Sequence, residues 1–172
     1  MKLIVHPEGC KGLIDSGAGS FPCALGRGGV TRTKKEGDGA TPAGVWHLRR
    51  LLVRTDRIAV NDLVTGLPSS PIDRLDGWCD DPAHAAYNRP VRLPFDAGHE
   101  VMWRDDHLYD LVVILGHNDA PPVPGCGSAI FMHLARPDYG PTEGCVALAR
   151  KDLLAVLATV RENDEIEILP ED

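Results

Sequence analysis

The sequence predicts a mainly β domain, of the β-rich α+β kind, with one clear helix near its C-terminal end. Three observations predict it. The apolar runs are short and rich in Val, Ile and Leu, as in Leu3-Ile4-Val5 and Leu111-Val112-Val113-Ile114-Leu115. The 18 glycines and 14 prolines are scattered along the whole chain and cut it into short elements. Only one stretch, 151–161, spaces its apolar residues as a helix does, with Leu153, Leu154, Leu157 and Val160 on one stripe.

In chain order, 2–5 and 45–53 read as strands, the second because Val45, Trp46 and Leu48 suit a pleated surface. Segments 100–103 and 108–115 flank the polar turn Arg104-Asp105-Asp106 and read as a hairpin. Residues 111–115 are apolar without alternation, as in a strand buried on both faces. Segments 129–134, 145–148 and 165–169 complete the strands. Asp152 suits the positive first turn of the helix, Arg150 and Lys151 do not, and Asn163-Asp164 ends it. Segments 26–44, 67–90 and 118–127 read as long loops, of a length that usually serves function or motion.

With 172 residues, no repeat and no linker, the chain reads as a single domain over 1–172. A domain of that size buries roughly 70% of its unfolded surface and needs no staples. The 18 basic and 25 acidic residues leave a net charge of −7, which argues against nucleic acid as a partner. Arg27, Arg32, Lys34, Lys35, Arg49 and Arg50 form local basic clusters, read either as a solvated face or as a patch for a carboxylate-rich ligand. No run approaches the ~18 apolar residues of a membrane span, and the N-terminus lacks the apolar core of a secretory signal. The cysteine count is five, so at least one is unpaired in a monomer, and the pairing of Cys10, Cys23, Cys79 and Cys126 stays open. No Cys-x2-Cys pair points to structural zinc.

The chemistry-bearing pair is His133 and Cys145. Alternation from Ala129 sends Ala129, Phe131 and His133 to one face, and Ile130, Met132 and Leu134 to the other. The eleven residues between His133 and Cys145 include Pro137, Gly140 and Pro141, enough for a turn and an antiparallel return. Such a return would make the two residues cross-strand neighbours, with Cβ atoms roughly 4.5–5.5 Å apart. An ordinary thiol is only about 3% thiolate at neutral pH, so a nucleophilic cysteine needs a base. Gly144 permits a sharp backbone and a close substrate approach, and amides there suit an oxyanion. The plain alternative is that both are ordinary core residues.

The segments Thr142-Glu143-Gly144-Cys145-Val146-Ala147-Leu148 and Gly127-Ser128-Ala129-Ile130-Phe131-Met132-His133 resemble the signature of the L,D-transpeptidase catalytic (YkuD) domain. Lys35-Glu36-Gly37-Asp38-Gly39-Ala40-Thr41-Pro42-Ala43-Gly44 is similar to the glycine-rich segment of that family. Trp78-Cys79-Asp80-Asp81-Pro82, Tyr87-Asn88 and Gly116-His117-Asn118 are also similar. The resemblance covers about 26–169. It implies a β-sandwich catalytic domain acting on peptidoglycan stem peptides, with Cys145 as nucleophile and His133 as base. It implies a backbone carbonyl at Leu134 or its neighbour orienting the imidazole, and Gly144 at the oxyanion. Tyr87, Asn88, Asn118, Phe131, Thr142 and Glu143 would contact substrate.

Two departures stand out. Glu143 occupies a position where relatives often carry His, and Ala147 one where they carry Arg or Asn. A carboxylate beside the sulfur disfavours thiolate, so Glu143 is expected to point away, to meet an Arg, or to meet a substrate amine. Arg27, Lys34 or Lys35 would serve the carboxylates of the stem. The resemblance implies no cofactor and no metal, a monomer, a periplasmic or cell-envelope setting with a cytoplasmic one left open, and susceptibility of the thiol to carbapenems. Water in place of the acceptor amine would make the same site an L,D-carboxypeptidase. A non-catalytic wall-binding module and a zinc hydrolase using His117, Cys126, His133 and Cys145 are the rivals from other classes; the spacing fits no common zinc pattern.

Overall fold

A computed structural model describes residues 1–59, 61 and 63–171. Among them fourteen strands and one helix are formed, in the mainly β arrangement the sequence predicts. β1 (Lys2–Glu8), β2 (Lys11–Ser16) and β3 (Gly19–Ala24) form an antiparallel meander. β4 (Val30–Thr31) and β5 (Thr41–Pro42) pair in parallel inside the long segment 26–44. β6 (Gly44–Val53) is the longest strand, followed by β7 (Ser69–Pro71), β8 (Asp76–Cys79), β9 (Pro90–Arg92) and β10 (His99–Val101). β11 (Leu111–Leu115), β12 (Phe131–Leu134), β13 (Val146–Leu148), α1 (Arg150–Leu157) and β14 (Glu165–Ile168) complete the chain.

The main sheet runs β11-β12-β13-β3-β2-β1-β14-β6-β7, and β11 pairs again with β6, so the sheet closes on itself. Closure encloses a core that includes Leu3, Val5, Ile14, Leu51, Val113, Met132, Val146 and Ile166. A second apolar cluster sits on the other face of β11 and β12, where Val112, Ile114 and Phe131 meet Trp78 and Met102. Those last two come from the small sheet β10-β8-β9 and its flank, which packs over that face. Alternation along 129–134 therefore divides the residues between two cores as predicted: Ile130, Met132 and Leu134 inward, Ala129 and Phe131 under the small sheet. β11 is buried along its whole length, because both its faces are covered.

Several expectations need correction. The hairpin over 100–115 does not form: β10 pairs with β8, and β11 pairs with β12 and β6. The turn residues are held elsewhere. Arg54 donates to the Arg104 carbonyl, and Arg57 to those of Asp105 and Asp106, at 2.6–3.0 Å. The chain therefore crosses from the small sheet to the main one. Segment 67–90 is not all loop, since β7 and β8 lie in it and bury Trp78. The helix is shorter than 151–161. It stops at Leu157 because Thr159 Oγ1 bonds the Val156 carbonyl and Gly66 N–H takes the Val160 carbonyl, pulling 160–162 into a bridge with Gly66. Strand β12 begins at Phe131, not Ala129, since Ala129 has φ +53°. No helix among the described residues is long and apolar enough to cross a membrane.

Candidate active site

β12 and β13 pair in parallel, not antiparallel as expected. The reason lies in the connection. Thr142 N–H donates to the Leu25 carbonyl and Arg27 N–H to the Thr142 carbonyl, both at 2.8 Å. The loop thus completes its reversal before residue 145 and enters β13 in the direction of β12. His133 faces Ala147 and Met132 faces Val146, so Cys145 stands one step before the ladder, beside Phe131. The sulfur and imidazole are diagonal neighbours on one face, and both line a cavity of about 150 Å³. Glu100, Arg104, Tyr109, Leu134, Arg136, Thr142 and Glu143 also line it. Cys145 is 7% exposed and His133 6%, so both are buried but reachable from that cavity.

The imidazole is held by its neighbour's backbone. His133 Nδ1 lies 2.9 Å from the Leu134 carbonyl. A carbonyl only accepts, so Nδ1 carries the hydrogen and Nε2 keeps its lone pair. The ring edge of Tyr109 packs against it at 5.3 Å between centroids. Burial pushes the His133 pKa down to about 4 and the Cys145 thiol up to about 12. The resting pair is therefore a neutral thiol and a neutral imidazole. The thiol donates to the Ala129 carbonyl at 3.3 Å and accepts the Phe131 N–H at 3.4 Å. Its proton is parked on backbone, not on His133, an arrangement common before substrate closes a site.

His133 also couples folding to pH. Its folded pKa lies below its ordinary 6.5, so between about 4 and 6.5 the unfolded chain binds more protons. The full stability is present above pH ~6.5 and falls as pH drops toward 4. The expected loss is about 3 kcal/mol on the proton-linkage scale, readable as a declining urea midpoint in acid. His133→Gln should lose that part of the decline.

Gly144 has φ +130°, and a Cβ there would meet the Ala40 carbonyl oxygen at 2.8 Å. Only glycine fits this approach. Gly144→Ala is expected to cost about 1–3 kcal/mol and to misplace the thiol, read as a lower melting temperature together with slower Cys145 acylation. Its amide donates to Thr142 Oγ1 at 3.1 Å, and Thr142 Oγ1 in turn donates to the Cys145 carbonyl at 2.7 Å. Thr142 therefore fixes the turn before the sulfur, and the Gly144 N–H is not free to meet an oxyanion.

The remaining residues singled out from sequence fall into place around this centre. Glu143 is exposed and pairs with Arg27 Nε at 2.8 Å, one of the three outcomes expected for it. Lys34 is buried against Asp38 and also donates to the Lys35 carbonyl, so neither Arg27 nor Lys34 is an unpaired cation. Phe131 packs edge-on between Trp78 and Tyr109. Asn88 is a buried clip. Its Oδ1 accepts Trp78 Nε1 and the Ala129 N–H, and its Nδ2 donates to the carbonyls of His117 and Asn118 at 2.8–3.1 Å. Asn88 thereby holds Ala129 in its left-handed conformation, which aims the carbonyl at the thiol. Asn88→Ala would strand four partners, three of them buried; the expected cost is about 2–4 kcal/mol in chemical denaturation. Asn118 folds its own loop through Val123 and the Gly127 carbonyl, and Tyr87 donates its hydroxyl to Glu36. These three frame the site with their polar atoms engaged inside the protein.

Sequence reading passed over Glu100, Tyr109 and Arg104, all of which line the cavity. The available signal was three polar or aromatic side chains immediately upstream of a doubly buried strand. All five cysteines are free thiols. Among the described residues, no group of three or more His, Cys, Asp or Glu side chains is arranged to hold a metal ion. His117 Nε2 lies 2.9 Å from the Cys126 carbonyl rather than its sulfur.

A larger cavity of about 370 Å³ lies beyond Phe131, under the small sheet, without Cys145 or His133 in its wall. The chemistry belongs to the smaller, polar one. A family model for the L,D-transpeptidase catalytic domain (YkuD) matches residues 13–168. No curated protein and no solved structure matches the chain.

Proposed function

Because the chain belongs to the L,D-transpeptidase catalytic-domain (YkuD) family, we propose that it transfers a peptidoglycan stem acyl group through a thioester on Cys145. The observation that supports this most is the shared cavity of Cys145 and His133, with Nδ1 held by the Leu134 carbonyl.

Substrate enters as the free pair stands, thiol and imidazole both neutral. As Sγ leaves the Ala129 carbonyl and approaches the L-centre carbonyl carbon, its proton passes to His133 Nε2. The S–C bond forms and an oxyanion develops. With the Gly144 amide engaged by Thr142, the Cys145 N–H is the donor assigned to it. The C–N bond then breaks, and His133 returns the proton to the departing amine of the D-residue. Arg136, exposed at the cavity rim, is the cation assigned to the carboxylate of that residue. An amine of a second stem then attacks the thioester and makes a 3-3 or 1-3 cross-link; with water the product is a shortened stem. One chain carries both reacting groups, so a monomer suffices. A peptidoglycan substrate fits a periplasmic or cell-envelope setting.

The test is incubation with purified stem tetrapeptide and mass-spectrometric identification of products. Cross-linked dimer with released D-amino acid supports transfer, and tripeptide alone supports the carboxypeptidase. An unchanged tetrapeptide with a properly folded enzyme refutes both.

A further inference from the structure

Glu100 lines the cavity wall without a direct salt bridge from any Lys, Arg or His among the described residues, although Arg104 lies near it. Its companion there, Glu143, is neutralised by Arg27. Arg104, also in the wall, gives its guanidinium to Asp106, at 2.6–2.9 Å. Glu100 keeps only a neutral partner: Tyr109 donates its phenol to Oε2 at 2.5 Å, and no side-chain cation among the described residues makes a salt bridge to it. A largely buried carboxylate without a counterion is costly, and the cost is recovered when a cation arrives. Asp80 and Glu36 add negative potential on the same side, and burial holds Glu100 above the usual carboxylate range. Glu100 thus faces the cavity as an unbridged carboxylate near the sulfur, while Arg136 stands exposed at the rim.

We propose that Glu100 receives the ammonium of the amine acceptor and so favours transfer over hydrolysis. This rests on the thioester reading above and names what its second step selects. The order of events balances. The ammonium docks against Glu100 and releases one proton to water, leaving a free amine. Its nitrogen attacks the thioester carbon, the C–N bond forms and the C–S bond breaks. The second amine proton passes to His133 Nε2 and on to the departing sulfur, which ends as the thiol. Tyr109 is the positioning residue, since its hydroxyl turns Glu100 toward the cavity and its ring edge abuts His133.

Removing the charge while keeping the shape has two opposed effects. Glu100→Gln should lower the ratio of cross-linked product to hydrolysed product about tenfold, the scale of one lost charged hydrogen bond. It should also raise the iodoacetamide alkylation rate of Cys145 several-fold, since a like charge that opposes the thiolate is gone. The groups facing that carboxylate (Asp80, Glu36, Arg104, Tyr109 and Cys145) are unaltered in the variant. Hydroxylamine, uncharged at neutral pH, is the control acceptor; its share of thioester capture should not fall. Glu100→Asp, which keeps the charge, should recover much of the stem-amine ratio. The proposal is overturned if Glu100→Gln leaves the ratio unchanged, lowers hydroxylamine capture equally, or only raises the KM for acylation. Absence of any acyl-enzyme in the unmodified protein would instead overturn the thioester reading itself.

Discussion

Replacing Cys145 by alanine abolishes stem-peptide turnover while the protein stays folded. The expected fall is roughly 10⁴-fold or more, because no other group in the cavity can form the acyl bond. Cys23 and Cys79 are buried elsewhere, and Cys10 and Cys126 do not line the cavity. The structural cost is small but real. Sγ accepts the Phe131 N–H, and losing it leaves that buried donor unpaired, for about 1–2 kcal/mol. Serine at the same position restores a hydrogen-bonding atom and should recover stability without recovering rate. Product analysis and a thermal melt on both variants check the two halves separately. Retained cross-linking in the alanine variant would remove Cys145 from the mechanism.

His133→Gln is the second large effect. Acylation should slow about 10²–10⁴-fold, the usual contribution of a positioned base. The thiol is pushed up to about 12 by burial, and its other neighbours are poorer bases: Arg104 and Arg136 only donate, Tyr109 is itself held protonated by burial and Glu100, and the Glu100 carboxylate is tied to that phenol. Raising the pH should partly rescue the variant, because hydroxide can then take the proton that the imidazole no longer takes. The unmodified enzyme should show less dependence over the same range. A single-turnover pH profile distinguishes this from simple misfolding. A variant that acylates at the normal rate at neutral pH would make His133 a packing residue only.

What the sequence made legible was local. Alternation over 129–134 correctly separated two buried faces and put His133 on the side of the sulfur, because period-two geometry needs no knowledge of partners. The carbonyl that orients the imidazole was legible only through the resemblance, which pointed to Leu134 or its neighbour; it is that of Leu134. Pairing direction was not legible. Whether residues 135–145 reverse once or twice depends on Thr142 bonding Leu25, a contact made over more than a hundred residues. The false hairpin at 100–115 has the same origin. Its turn signals are genuine, yet Arg54 and Arg57, in the turn that follows β6, claim those carbonyls. That misreading hid Glu100 and Tyr109, whose meaning lies in what they face across the cavity. Asn88 shows the converse. The resemblance marks it as a substrate contact, and its four hydrogen bonds go to the backbone and indole that shape the site.

The shared cavity of sulfur and imidazole is tested most directly by trapping the intermediate. The protein is mixed with stem tetrapeptide, quenched in acid within the first turnover, digested and mapped by mass spectrometry. The expected result is an acyl group lacking the terminal D-residue, attached at Cys145 and cleaved by hydroxylamine as a thioester is. Product formed with no adduct on Cys145, or with the acyl group on Cys10, Cys23, Cys79 or Cys126, would contradict the account.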